Sequence, residues 1–299
     1  MNKFLPGLYL VSTPIGNLDD ITLRGLEVLK SSDIILCEDT RRSIKLLNHY
    51  KIKKKLISYH KFNEQKELQN IIEYLKGGKI LSLISDAGTP TLSDPGLLLV
   101  KSCVDNEIKV TPIPGPSSVT ASVSVSGFDD KYLFYGFLPK TENELIKILT
   151  KLKEIDFSLV FFIPAIKINF YLKFFKEYFL GRDIFIAREL TKIHESFYRN
   201  KVSEIKLFKT ALKGELTVVL SKIYINDNMK NDDEIIFEAK KYLKKYSLKD
   251  VVELISKKEK ISKNKVYEIC LKIKNEKNIY RSEERRVGKE CRSRWSPYH

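Results

Sequence analysis

The chain has 299 residues, 43% of them hydrophobic and 30% charged, with a formal net charge of +15. That length exceeds what one hydrophobic core usually holds and predicts two α/β-sized units plus extras, and no apolar run approaches the roughly 20 residues that would span a bilayer. The first ten residues lack the basic stretch and apolar core of a secretory signal, so a cytoplasmic protein without membrane attachment is expected.

In chain order, the first half alternates short apolar runs with amphipathic stretches. "LYLVS" from Leu8, "DIILCED" from Asp33, "KLISY" from Lys55, "KILSLIS" from Lys79 and "IKVTPIP" from Ile108 read as five strands. Between them, "TLRGLEVLKSS", "RRSIKLLNHY", "NEQKELQNIIEYLKGG" and "PGLLLVKSCVDNE" carry helical spacing, with Thr22, Asn63 and Asp94 placed as N-caps. This repetition predicts a mostly parallel sheet covered by helices, whose ligands bind beyond the carboxyl ends of the strands. The four cysteines (Cys37, Cys103, Cys270 and Cys291) have no CxxC or Cys/His spacing, so they read as reduced thiols, and no metal site is expected.

Three strand-end loops are chemically unusual. "STPIGNLDD" uses Pro14 and Gly16 for a tight turn but matches neither GxGxxG nor GxxxxGK[ST]. "LISDAGTPTLSDPG" ends a buried strand on Asp86 and then places two glycines, two prolines and three hydroxyl residues in ten positions. "PIPGPSSVTAS" offers Gly115 for close backbone approach, with Ser117 and Ser118 at the start of the next helix. Each loop alone is also explained as turn chemistry, and Asp86 as a cap of its own loop.

The second half opens on "GFDDKYLFYGFLPKTENE", which reads as a linker, and "SLVFFIPAIKINFYLKFFKEY" reads as a strand and an amphipathic helix. "IFIARELTKIHESFYRN" is a strand running into alternating charges that serve either a site or a solvated rim. "GELTVVLSK" is a further strand, with Gly214 open to close ligand approach. From Asp232 three amphipathic helices follow, with Ser247 and Ser262 as caps of the second and third. Residues 239–280 hold 13 Lys against 5 Asp+Glu, with Tyr242, Tyr246 and Tyr267 interleaved. This pattern suits phosphate binding, although lysines on solvated helix faces would look the same. The last 19 residues hold five of the chain's eleven arginines and its one tryptophan, so 281–299 reads as an artefactual tail outside the fold. The expected organisation is 1–127 as a first α/β domain, 128–230 as a second, 231–280 as a basic helical appendage, and the tail.

"LYLVSTPIGNLDDITLRGLEVLKSSDIILCEDTR", "YHKFNEQ", "LISDAGTPTLSDPG", "PIPGPSSV", "YGFLPK" and "ARELTK" together resemble the 16S ribosomal RNA cytidine 2′-O-methyltransferases of the tetrapyrrole methylase superfamily. The resemblance runs from Leu8 through the basic helices. It implies two α/β domains of the class III methyltransferase type, with S-adenosyl-L-methionine held in a cleft between them. It also implies a homodimer and 16S rRNA or the small ribosomal subunit as partner. Under this reading Pro14, Gly16, Asp86, Gly88, Thr89, Gly115, Ser117 and Ser118 are the cofactor-binding candidates. Where the family usually carries a polar Glu and His, this chain has Ile163 and Ile166 around Pro164, so no role passes to those side chains; Lys167 keeps the positive charge.

Methylating a 2′-hydroxyl calls for a base, and Glu38, Asp39, His60, Glu64, Glu189 and Lys192 are the candidates. Arg41, Arg42, Lys192, Lys240, Lys241, Lys244 and Lys245 are candidates for RNA phosphates, although Asp39 would equally form an internal ion pair with Arg41 or Arg42. Two other functions fit the chain: a superfamily methylase acting on a small molecule or a protein side chain, and a non-catalytic rRNA-binding assembly factor.

Overall fold

The computed structural model describes residues 4–223, 232–259 and 261–274. The chain divides into one unit of Met1–Ile223 and a second of Tyr224–His299. The tail 281–299 lies outside the described residues.

In the first unit the expected alternation becomes β1 (Gly7–Val11), α1 (Leu23–Ser31), β2 (Ile34–Cys37), α2 (Thr40–His49), β3 (Lys55–Ser58), α3 (Glu64–Lys76), β4 (Ile80–Ile84), α4 (Leu97–Asp105), β5 (Val110–Ile113) and α5 (Ser118–Ser126). The five strands are parallel, in the order β3-β2-β4-β1-β5. Every residue of β2 and β4 is buried, as central strands of a helix-covered parallel sheet require. Register sets Leu10 beside Leu83 and Pro112, and Cys37 beside Ile84. The loops after β1, β2, β4 and β5 therefore emerge together at one edge.

Thr22 caps α1 as expected, accepting from the Gly25 N–H. Asn63 and Asp94 do not act as caps. The Asn63 side chain turns back, accepting from the His60 N–H and donating to the Ser58 carbonyl. α4 starts after Gly96, whose φ of 125° keeps it out of the helix, and a Cβ there would lie 2.5 Å from Leu83. Asp94 is thereby left to face elsewhere.

The second sheet comprises β6 (Tyr132–Phe137), β7 (Ser158–Pro164), β8 (Asp183–Arg188), β9 (Ser196–Lys201) and β10 (Glu215–Leu220), in the order β6-β7-β10-β8-β9. β6 runs parallel to β7, while β10 is antiparallel to both β7 and β8, and β8 to β9. The stretch expected as a linker is thus the edge strand β6, bent by a bulge between Phe134 and Gly136. α6 (Glu142–Leu152) and α7 (Ile168–Tyr178) cover one face around Phe161, Leu172 and Phe175. α5, which leaves the first sheet, covers the other face by packing Val119 on Val160, Phe185 and Val219. That crossing helix ties both sheets into one unit. Arg182, 2% exposed, braces the far end by donating to the carbonyls of Phe157, Ser221 and Ile155. Burial lowers its pKa to about 10, against the opposing charge of Asp156.

In the second unit α8 (Asp232–Tyr242), α9 (Leu248–Glu259) and α10 (263–274) enclose Ile235, Ala239, Val251, Ile255, Val266 and Cys270. Ser247 and Ser262 occupy the expected caps, accepting from the N–H groups of Asp250 and Lys265.

Candidate active site

The carboxyl edge of the first sheet faces an edge of the second across a cavity of about 480 Å³. That size is ordinary for a small-molecule site. Glu38 enters from the end of β2, Asp86 and Asp94 from the loop after β4, and Ser117 and Ser118 from the start of α5. The second sheet contributes apolar wall through Phe162, Ile163 and Leu216, and charge through Lys192 and Glu215.

Carboxylates dominate the charged lining. Asp86 accepts from Arg42 at 2.9 Å and, more weakly, from the Asp39 N–H at 3.4 Å. It is therefore neither partner-free nor a cap of its own loop. Glu38 is raised above the usual carboxylate range by burial and then by the negative charge of Asp86. Asp94 is pushed up to about 6 by burial and by Glu38, with Ser85 opposing as a hydrogen-bond partner. The loop carrying it holds Thr91 and Ser93 at φ 73° and 69°, a conformation that non-glycine residues adopt only under constraint. Sequence reasoning missed Asp94 by assigning it to a helix cap. The signal was the following Pro95-Gly96 pair, which delays the helix and frees the carboxylate.

The glycines lie where loops approach one another closely. Gly88, at φ 80°, pairs its backbone with Thr13 in both directions. Gly115 lets Ser12 approach, and Gly16 lets Leu190, Thr191 and Lys192 of the second sheet approach. Each glycine permits close packing of neighbouring loops; Gly88 and Gly115 do not line the cavity. The Thr89 hydroxyl is likewise engaged, with Ser12 at 3.0 Å and the Pro116 carbonyl at 3.3 Å, although its side chain borders the cavity. Ser117 sits at the N-cap of α5, but no side chain caps that helix, so its first N–H groups are available at the cavity wall. Pro14 and Gly16 line a second, adjoining cavity instead.

Of the candidate bases, Glu38 alone lines the cavity as a free carboxylate. Asp39 caps α2 and is clamped by Arg41 at 2.9 Å, whose hydrogen bonds hold it down at about 2. His60 and Glu64 lie in the turn into α3, where His60 Nδ1 accepts from the Phe62 N–H. Glu189 is tied to the Glu215 N–H and to Lys192. Burial pushes its pKa up, but those two partners outweigh it and leave Glu189 below its ordinary value. Lys192 bridges Glu189 and Glu215 at 2.9 and 3.2 Å and is held protonated by them despite its burial. Gly214 lines the cavity and accommodates the Glu189 carboxylate where a Cβ would sit. Ile163 is buried in the second sheet's core, whereas Ile166 is 76% exposed. In the second unit Lys240, Lys241, Lys244 and Lys245 are all exposed. Among the described residues no group of acids, histidines and cysteines could hold a metal ion.

Two facing α/β sheets with a cavity at their edges form the fold of the uroporphyrin-III C-methyltransferase of Thermus thermophilus complexed with S-adenosylhomocysteine. That likeness has a TM-score of 0.53 at 15% identity and covers 73% of this chain and 98% of that one. The chain belongs to the tetrapyrrole (corrin/porphyrin) methylase family, whose model matches residues 7–206. Among its relatives is the ribosomal RNA small subunit methyltransferase I of Thermotoga maritima, 47% identical over 217 residues, which are 72% of this chain and 97% of the relative. The protein of the same name in Rickettsia prowazekii is 41% identical over 275 residues, covering 90% of this chain and 97% of the relative.

Proposed function

We propose that this chain is an S-adenosylmethionine-dependent methyltransferase acting on small-subunit ribosomal RNA, and that its target is the ribose 2′-oxygen of a cytidine. The observation that carries the reading is the cavity itself, which sets Glu38, Asp86, Asp94 and Glu215 against only Arg42 and Lys192 beside an apolar wall. An acidic, half-apolar cavity suits a nucleoside bearing a cationic sulfonium and an ammonium.

Bound S-adenosylmethionine would supply an electrophilic methyl to the ribose oxygen, with sulfur as the leaving group, and the hydroxyl proton would have to pass to a base. Asp86 and Glu38, which line the cavity, would meet the positive charge of the donor. The uncapped N–H groups of α5 suit its carboxylate. Phe162, Ile163 and Leu216 exclude water from the reacting atoms. Asp94 takes the proton, because a carboxylate with its proton affinity near neutrality is a better acceptor than an ordinary one, and such a base contributes roughly 10²- to 10⁴-fold. Arg42 and Lys192 stand at the cavity to steer phosphates, with Arg41 and the lysines of the second unit contributing attraction.

We further place the protein in the cytoplasm as a homodimer. Leu97 and Val104, two turns apart on α4 and 72% and 64% exposed, flank the exposed Lys101 and are apolar side chains that self-association would cover. No described helix is long and apolar enough to cross a membrane. The function is tested by incubating the protein with methyl-labelled donor and small ribosomal subunits that lack the modification. Label is expected in the 16S RNA, and donor binding without label in any RNA would overturn the reading.

A further inference from the structure

A second cavity, of about 360 Å³, adjoins the first. The two share a wall of Ile15, Arg42, Asp86, Ala87, Lys192 and Glu215. Their charge is opposite in sense. The first holds four carboxylates against two cations, whereas the second holds Arg42, Lys45 and Lys192 against Asp86 and Glu215 alone. Both of those carboxylates are already paired, Asp86 with Arg42 and Glu215 with Lys192. Among the described residues Lys45 enters no ion pair, so it is the uncompensated charge of the second cavity.

The remaining wall fits a nucleotide rather than a bare anion. Pro14, Leu18 and Leu46 give apolar surface for a base or ribose. The wall is also built to keep its shape. Asn17 donates its N–H to Thr191 Oγ1 at 2.9 Å, joining the β1 loop to the second sheet, and Tyr50 donates to the Leu18 carbonyl, joining that loop to the end of α2.

We propose that this second cavity seats the target nucleotide of the RNA, with Lys45 on its phosphate, and that its ribose meets the donor where the two cavities join, beside the Arg42–Asp86 and Lys192–Glu215 pairs. The assignment rests on the RNA methyltransferase reading. It gives each substrate a cavity of complementary sign, the cationic donor on the acidic side and the polyanion on the basic side, and it orders binding by charge without any moving part.

The test uses the full chain, small subunits lacking the modification, and the variants Lys45→Glu and Lys45→Arg. Lys45 is exposed on α2, so neither change disturbs the core. Lys45→Glu is expected to raise KM for the subunit by about tenfold or more, because a phosphate meets repulsion where it had attraction. It should also flatten the salt dependence of RNA binding by the share of about one phosphate, a slope change of roughly 0.7 to 0.9. kcat and calorimetric affinity for the donor should stay near the wild-type values, and Lys45→Arg should restore KM. A Lys45→Glu variant with wild-type KM and salt slope, in a protein that does methylate the subunit, would overturn the site and leave the function standing. A wild-type protein that methylates no RNA would overturn both.

Discussion

Asp94 carries two separable predictions, because it is half-buried near Glu38 and held in a constrained loop. Its proton affinity is raised on folding, so the folded state binds more protons between about pH 4 and 6, and the charged form opposes folding above that window. Asp94→Asn should therefore raise the thermal midpoint at pH 8, with the gain shrinking to nothing toward pH 4. The same change should lower kcat by about 10²-fold or more with donor affinity little altered, and wild-type activity should fall as the pH drops through 6. A variant as active as wild type would remove Asp94 from the chemistry. Asp86→Ala is expected to weaken donor binding by about 1.5–3 kcal/mol, read by calorimetry. Its Arg42 partner is 71% exposed, so the loss of that pair should alter stability by less than about 1 kcal/mol. The place of Asp86 at the cavity was legible because a strand that is buried throughout ends just before it. The burial of Asp94 was not, since it depends on Gly96 leaving the helix and on side chains from elements remote in sequence.

Among the elements, the strands buried on both faces were legible as apolar runs, and the two that escaped notice are the edges of the second sheet. β6 reads as an aromatic linker broken by Gly136, and β9, "SFYRNK", is largely exposed, so neither shows the hydrophobic run that marks a central strand. The glycines were legible as necessary but not as to what they approach. Gly214 stands at φ 98° with the Glu189 carboxylate where a Cβ would sit, so Gly214→Ala must both strain the backbone and displace that ion pair. The expected loss is about 1–3 kcal/mol of unfolding free energy, measured by denaturant melts. Gly16→Ala would thrust a methyl against Thr191 and Lys192 and part the two sheets at the wall of both cavities. It should weaken donor and RNA binding together, and an effect on one alone would contradict that placement.

Across the whole molecule, the opposite charge of the two cavities arises only when the sheets face one another, which no local pattern announces. The basic balance of 239–280, by contrast, is plain from the sequence and makes its own claim. Neutralising Lys240, Lys241, Lys244 and Lys245 should weaken RNA binding and reduce its salt slope by roughly 0.7 to 0.9 for each phosphate that no longer meets a lysine, with donor affinity unchanged. An unchanged slope would make those lysines a solvated face and leave RNA recognition to the cavities. The central claim is tested most directly by mapping ribose methylation along 16S RNA from cells with and without the gene. The account predicts one 2′-O-methylcytidine that disappears with the gene and returns with the wild-type copy but not with Asp94→Asn; identical methylation maps with and without the gene would contradict it.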